Sequence, residues 1–141
     1  MEEIILENNE IKFVASKNER TKSLVNFGVL DKSSNKILFE LYSENDNLTD
    51  GNISIKVKYC QNDNIQNENL NKTLRDSIEM FVNFCFANWP LKNIYYQTYQ
   101  NDTSTINILM KIGFVVEANL KDDYYYEGKY ISRIILTLKR K

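Results

Sequence analysis

The chain has 141 residues, 43% of them hydrophobic and 26% charged, which fits one globular domain long enough to bury a core. A formal net charge of −1 offers none of the concentrated basic surface that nucleic-acid binding needs. Histidine is absent and Cys60 and Cys85 are the only cysteines, so Ser-His-Asp and Cys-His catalysis, His-based metal sites and a disulfide framework are all excluded.

The N-terminus, Met-Glu-Glu-Ile-Ile-Leu, lacks the basic start and long apolar run of a signal peptide. No stretch approaches the ~20 apolar residues of a membrane span, and the cytoplasm is the expected compartment. Residues 3–14 alternate around Glu7-Asn-Asn-Glu10 and predict a hairpin that buries Ile5, Ile11 and Phe13, because asparagine tolerates left-handed turn geometry. Residues 15–23 are polar and read as loop. Strands are predicted over 24–30 and 36–43, joined by Asp31-Lys-Ser-Ser-Asn35, then a polar turn over 44–52 and a third strand over 53–59. The period of two is that of antiparallel strands with one face wet.

Residues 60–69 are rich in Asn and Gln and form a loop. Leu70, Leu74, Ile78, Phe81 and Cys85 then recur every three or four residues as one apolar helical stripe, with Asn69 or Asn71 able to cap it. Trp89-Pro90 ends that helix, since proline lacks an amide and restricts the residue before it. Residues 91–99 predict a strand, parallel to 53–59 if the helix is the crossover. A short capped helix near 103–112 stops at Gly113, and a hairpin pairs 114–126 with 129–139 through Glu127-Gly128. The run Lys139-Arg-Lys141 reads as a solvated end. With no repeat and no linker, residues 1–141 read as a single domain of the α+β (mixed α/β) class: an antiparallel meander, a central parallel βαβ pair and a C-terminal hairpin.

Three passages carry a family resemblance. Phe84-Cys-Phe86 with Asn88-Trp-Pro-Leu-Lys-Asn-Ile94, then Thr105-Ile-Asn-Ile-Leu-Met-Lys-Ile-Gly-Phe114, then Glu117-Ala-Asn-Leu-Lys121 through Gly128-Lys-Tyr130, occur in order and at sensible spacing. The set resembles the C-terminal half of the GCN5-related N-acetyltransferases (GNAT), especially the ribosomal-protein and spermidine N-acetyltransferase branch. That resemblance implies an acyl-coenzyme A cleft, acetyl-CoA as co-substrate, and transfer of an acyl group to an amine acceptor.

It also implies site residues. Main-chain groups of Val57, Lys58, Tyr59 and Cys60 would pair with pantetheine. Leu70, Asn71, Lys72, Thr73, Leu74 and Arg75 fall where family members surround the pyrophosphate with amides at a helix N-terminus. Asn101 or Asp102 stands for the asparagine that opens the last helix. Glu40 either relays a proton from the amine or faces solvent on a meander strand. Tyr96 and Tyr99 either protonate the departing thiolate or pack, with wet hydroxyls. The Tyr124-Tyr-Tyr126 and Tyr130 cluster grips an acceptor or partner, or packs across the hairpin. Cys85 reads as core, and Cys60 as a weak candidate for contact with the thioester.

Three departures from the family pattern stand beside these. No glycine occurs between Gly51 and Gly113, although the phosphate loop normally carries two. Only 23 residues precede Leu24, where family members place two helices that wall the acceptor pocket. The helix tyrosine that usually serves as acid has no counterpart, its region offering Leu109 and Met110. The alternative function is therefore an inactive relative used for protein binding or as a homodimer.

Overall fold

The computed structural model describes residues 3–16, 24–60 and 68–141. Alternating sequence in the N-terminal half becomes β1 (Leu6–Glu7), β2 (Ile11–Ala15), β3 (Asn26–Asp31), β4 (Ile37–Asn47) and β5 (Asn52–Tyr59). The apolar stripe becomes α1 (Glu68–Asn88), followed by β6 (Asn93–Tyr99), α2 (Thr103–Ile112) and the hairpin β7 (Val115–Tyr126) with β8 (Lys129–Lys139). Among the described residues these strands form one eight-stranded sheet in the order β1-β2-β3-β4-β5-β6-β8-β7. Every pairing is antiparallel except β5 with β6. The expected α+β architecture is therefore present.

One face of the sheet holds the core. Phe13, Phe27, Val29, Phe39, Leu41, Ile53, Ile55, Ile94 and Leu136 meet Leu74, Ile78, Phe81 and Cys85 of α1 and Ile108 and Leu109 of α2. Both helices thus lie on that face. Alternate residues of the same strands point the other way, onto what is here termed the open face.

The β5–α1–β6 crossover is locked at its base. Gly51 adopts φ +76° in the turn before β5, and its carbonyl accepts the Lys92 and Asn93 amides at 2.7 and 3.1 Å. The Asn93 side-chain amide also donates to Asn52 Oδ1 at 3.0 Å. At the far end of α2, Gly113 adopts φ +126° and donates to the Leu109 and Met110 carbonyls, ending the helix where the sequence places it.

Several expectations are corrected. Ile5 is 37% exposed, because β1 is only two residues long and leaves it at the sheet margin. Strand β4 runs on to Asn47 through residues read as turn, since Ser43, Glu44 and Asn47 pair with β5. Residues 68–71 are already helical in α1, so neither Asn69 nor Asn71 is its N-cap. Asp102 makes no side-chain cap bond to α2; its carboxylate accepts instead from Thr98 Oγ1 at 2.7 Å. Arg140 is not a free end: its guanidinium donates to the Leu91, Phe86 and Trp89 carbonyls at 2.5–2.7 Å. Ala15, expected in a loop over 15–23, ends β2, and 68–69 of the loop expected over 60–69 belong to α1; 17–23 and 61–67 lie outside the described residues.

Candidate functional site

Strands β5 and β6 pair only through Asn52–Asn93, Ile53–Ile94 and Ser54–Tyr95, then part. Beyond Ser54, β5 keeps β4 on one edge, up to the Tyr59–Phe39 pair, and has no ladder to β6 on the other. Strand amides must be satisfied somewhere, so the β6-facing edge of 55–59 presents main-chain donors and acceptors to the cleft. Val57, Lys58 and Tyr59 lie on that edge and Cys60 just past it.

The helix side of the cleft is phenolic. Tyr96 is only 7% exposed, and burial raises its pKa first, with the nearby groups of Tyr59, Asp102 and Tyr42 pushing the same way. Its phenol is therefore held firmly protonated. Tyr59, at the end of β5, packs edge-on against Phe39 with centroids 5.5 Å apart. Its hydroxyl reaches across to the side chain of Thr105 in α2; burial raises its pKa, the Thr105 hydrogen bond opposes this, and Asp102 adds to the rise. The sequence points to the Tyr59 main chain alone at this site, and Thr105 enters it only as the first residue of a family-like motif, with no role of its own. Strand parity beyond Ser54 was the available signal for Tyr59; nothing in the sequence marked Thr105.

The open face is charged and aromatic. Glu40 is 2% exposed, so it does not face solvent: Oε1 accepts from Ser16 Oγ at 2.7 Å, and Oε2 lies 4.0 Å from Lys58 Nζ. It sits one strand away from the cleft, opposite Lys58. Tyr99 faces this side, away from Tyr96, and stacks on Tyr124 at 4.8 Å, which in turn stacks on Tyr126 at 6.1 Å. Tyr125 and Tyr130 meet edge-on at 5.1 Å on the other side of the hairpin. Arg133 lies opposite Tyr99, with Nε 2.9 Å from Asp123 Oδ2, and the Gln97 side-chain oxygen accepts from its Nη1 at 2.9 Å. Nothing local in the sequence marks Gln97, Arg133 or Lys56, because β6–β8 pairing sets Gln97 beside Arg133 and strand alternation on β5 turns Lys56 to the same face.

The remaining candidates are spread more widely. Residues 68–71 form the first described turn of α1. Leu70 and Asn71 fall in that turn, whereas Lys72, Thr73, Leu74 and Arg75 follow it. Leu74 is buried in the core and Leu70 packs against it. Lys72 Nζ lies 3.9 Å from Glu10 Oε1, beside a groove of about 400 Å³ bounded by the β1–β2 and β3–β4 turns. The glycine-free segment ahead of α1 lies outside the described residues. Asn101 is exposed, and Asp102 begins α2 beside the cleft. Burial and the Glu40 charge raise the Cys60 pKa against the opposing effect of Lys58, so its thiol stays protonated. Cys85 is fully buried, its pKa pushed up to about 12 by desolvation first and Asp46 second. Among the described residues no group of His, Cys, Asp or Glu could hold a metal ion.

A mixed sheet whose one parallel pair diverges after a few residues, with both helices on one face, is the fold of the GNAT acetyltransferases. Solved structures agree. A chimera built on spermidine N-acetyltransferase of Vibrio cholerae superposes with TM-score 0.69 at 15% identity over 82% of this chain and 66% of that one. The V. cholerae enzyme in complex with CoA and spermine gives TM-score 0.69 at 14% identity, over 93% of this chain and 66% of that one. Ribosomal-protein-S5-alanine acetyltransferase of Vibrio fischeri gives 0.67 at 18% identity, over 82% and 61%. The chain therefore spans about two thirds of the length of these structures. No family model matches it, and no curated protein matches it in sequence.

Proposed function

We propose that this chain binds acetyl-coenzyme A, or a related acyl thioester, between β5 and β6 and transfers the acyl group to an amine. The observation that carries this is the parting of the two parallel strands after Ser54 and Tyr95. It frees the edge of Val57, Lys58 and Tyr59 for pantetheine and lets strand amides polarise the thioester carbonyl. The CoA complex of a structural neighbour with this fold supports the same lane. On this reading Asn101, Asp102 and the first turn of α1, with Leu70 and Asn71, flank the phosphates, and Lys72, Thr73, Leu74 and Arg75 support that turn.

The chemistry divides between the faces. Glu40 accepts the amine's proton on the open side through a water, since it stands a strand away. The neutral amine attacks the thioester carbonyl; as the C–S bond breaks, the nitrogen gives up its second proton through water, and Tyr96, protonated at neutral pH, donates to the departing thiolate and regains a proton from that water. Tyr99 belongs to the acceptor side instead. Among the described residues no helix is long and apolar enough to cross a membrane.

Titration calorimetry with acetyl-CoA and desulfo-CoA tests this reading. Micromolar binding is the expected result; no heat at millimolar ligand rejects it. A second reading, an interaction module without catalysis, draws on the exposed hairpin: Tyr125, Tyr126 and Tyr130 are 61%, 48% and 64% exposed, and Val115 of edge strand β7 is 56% exposed. There a second copy of the chain would pair as a homodimer. Light scattering that finds only monomer at high concentration rejects that form.

A further inference from the structure

We infer that the acceptor is an amine carrying an anionic group, carboxylate or phosphate, close to its nitrogen, and that Lys56 on the open rim of the cleft selects it. The inference rests on the acyl-transfer reading and specifies its acceptor.

The rim is built by strand alternation. On β5, Ile53 and Ile55 enter the core, so Lys56 and Lys58 point to the open face, about 7 Å apart along the strand. Across the gap stand Gln97 and Tyr99 of β6, and behind them Arg133 of β8. Three cations therefore surround the point at which an acyl group would emerge. Two have carboxylates already: Glu40 lies 4.0 Å from Lys58, and Asp123 lies 2.9 Å from Arg133. Lys56 differs. Its cross-strand neighbour is Tyr42, and Glu44, the next carboxylate on that face, is paired in register with Ser54 at the closed base of the cleft. Among the described residues no carboxylate lies within ion-pairing distance of the Lys56 ammonium.

Two consequences follow. A polycation arriving beside Lys56 meets like charge in a partly desolvated setting, whereas an amine with its own anion can place that anion on the free ammonium. Positive charge beside the nucleophile also favours its neutral, reactive form, because a nearby cation disfavours protonation of an amine. The stacked faces of Tyr99, Tyr124 and Tyr126 continue outward from the rim and give a flat wall for the rest of the acceptor.

The test is a panel of acceptors with acetyl-CoA, following release of the free thiol: glycine and glutamate for the carboxylate arm, phosphoethanolamine for the phosphate arm, spermidine and benzylamine as cationic and neutral controls. The expected result is kcat/KM at least about tenfold higher for one of the anionic arms than for spermidine. Lys56→Glu should cost that arm about tenfold, mainly in KM, and raise spermidine turnover, while Lys56→Gln falls between. Both variants should keep the wild-type melting temperature and desulfo-CoA affinity. Spermidine preferred by the wild type, or a Lys56→Glu profile unchanged from it, overturns this inference and leaves acyl transfer standing. Absence of desulfo-CoA binding removes the acyl-transfer reading itself, and this inference with it.

Discussion

Tyr59 and Thr105 face each other across the diverging strands, the Thr105 hydroxyl near enough to oppose the rise that burial gives the Tyr59 pKa, and so bring the end of β5 to the first turn of α2. Thr105 is 5% exposed, so one end of this latch is fixed in the fold, while Tyr59, at 52%, can swing. The latch crosses the helix side of the cleft, on the route proposed for pantetheine. Thr105→Val keeps the shape and removes the hydroxyl that faces Tyr59. Stability should fall by about 1 kcal/mol at most, the net worth of a hydrogen bond. Desulfo-CoA should bind a few-fold tighter, because no contact must be broken to admit it. Weaker binding by calorimetry would show that Tyr59 and Thr105 grip the ligand instead.

Gly51 fixes where the cleft begins. A Cβ there would stand 3.0 Å from Lys92 Cγ and 3.1 Å from the Lys92 nitrogen, at a φ of +76° that other residues rarely adopt. Gly51→Ala therefore strains the turn and loosens the two amide bonds that hold β6 to it. The expected loss is about 2 kcal/mol in a urea titration, with unchanged slope. A loss below about 0.5 kcal/mol would mean that the closed base is not set by this turn.

Arg140 shows how a terminal charge becomes structural. It lies 5.1 Å over the Phe86 ring and donates to three carbonyls around the end of α1, where unpaired helix carbonyls and the negative end of the dipole collect. Arg140→Ala should cost about 2 kcal/mol, and Arg140→Lys should recover less than half, since an ammonium cannot fork to three acceptors. Equal stability of the two variants would reduce the contact to simple charge.

That residue also marks where sequence reasoning stops. Local signals located the elements well: period two gave β3 to β5, the 70/74/78/81/85 stripe gave α1, Trp89-Pro90 its end, and Gly113 the end of α2. Non-local pairing was hidden. Asp102 reads as an N-cap until Thr98 is seen to occupy its carboxylate, and Glu40 reads as solvent-facing until Ser16 and Lys58 enclose it. Parity assigns Tyr96 and Tyr99 to opposite faces only once β6 is known to continue unbroken past the parting of the strands. A phosphate site made of amides, not side chains, leaves no mark in residue identity.

Alkaline stability follows from two buried acids. The Cys85 thiol titrates near 12 in the fold against 9.0 unperturbed, and Tyr96 is raised above its ordinary 10.0. Both bind protons more tightly when folded, so the unfolded chain loses its protons first and stability falls as pH rises. The decline begins near pH 9 for Cys85 and near 10 for Tyr96, each with a limiting slope of about 1.4 kcal/mol per pH unit. Tyr96→Phe should flatten the curve above pH 10 only, and Cys85→Ala should flatten it from pH 9, as read from urea midpoints between pH 8 and 11. Parallel curves for wild type and both variants would place the alkaline loss elsewhere, in the lysines.

Glu40→Gln separates proton transfer from architecture. The amide is isosteric, its oxygen can still accept from Ser16, and Lys58 loses only a 4.0 Å ion pair, being itself 56% exposed. Since Glu40 is buried, folding should weaken by about 1–3 kcal/mol, which a urea titration reads separately from the rate. The acyl-transfer rate should drop by about a hundredfold near neutral pH if the carboxylate removes the amine's proton. It should recover as pH approaches the acceptor's own pKa, where the amine arrives already neutral, while desulfo-CoA affinity stays that of the wild type. A rate loss that persists at high pH would instead make Glu40 a positioning residue acting through Lys58, and a variant as fast as wild type would remove it from the reaction.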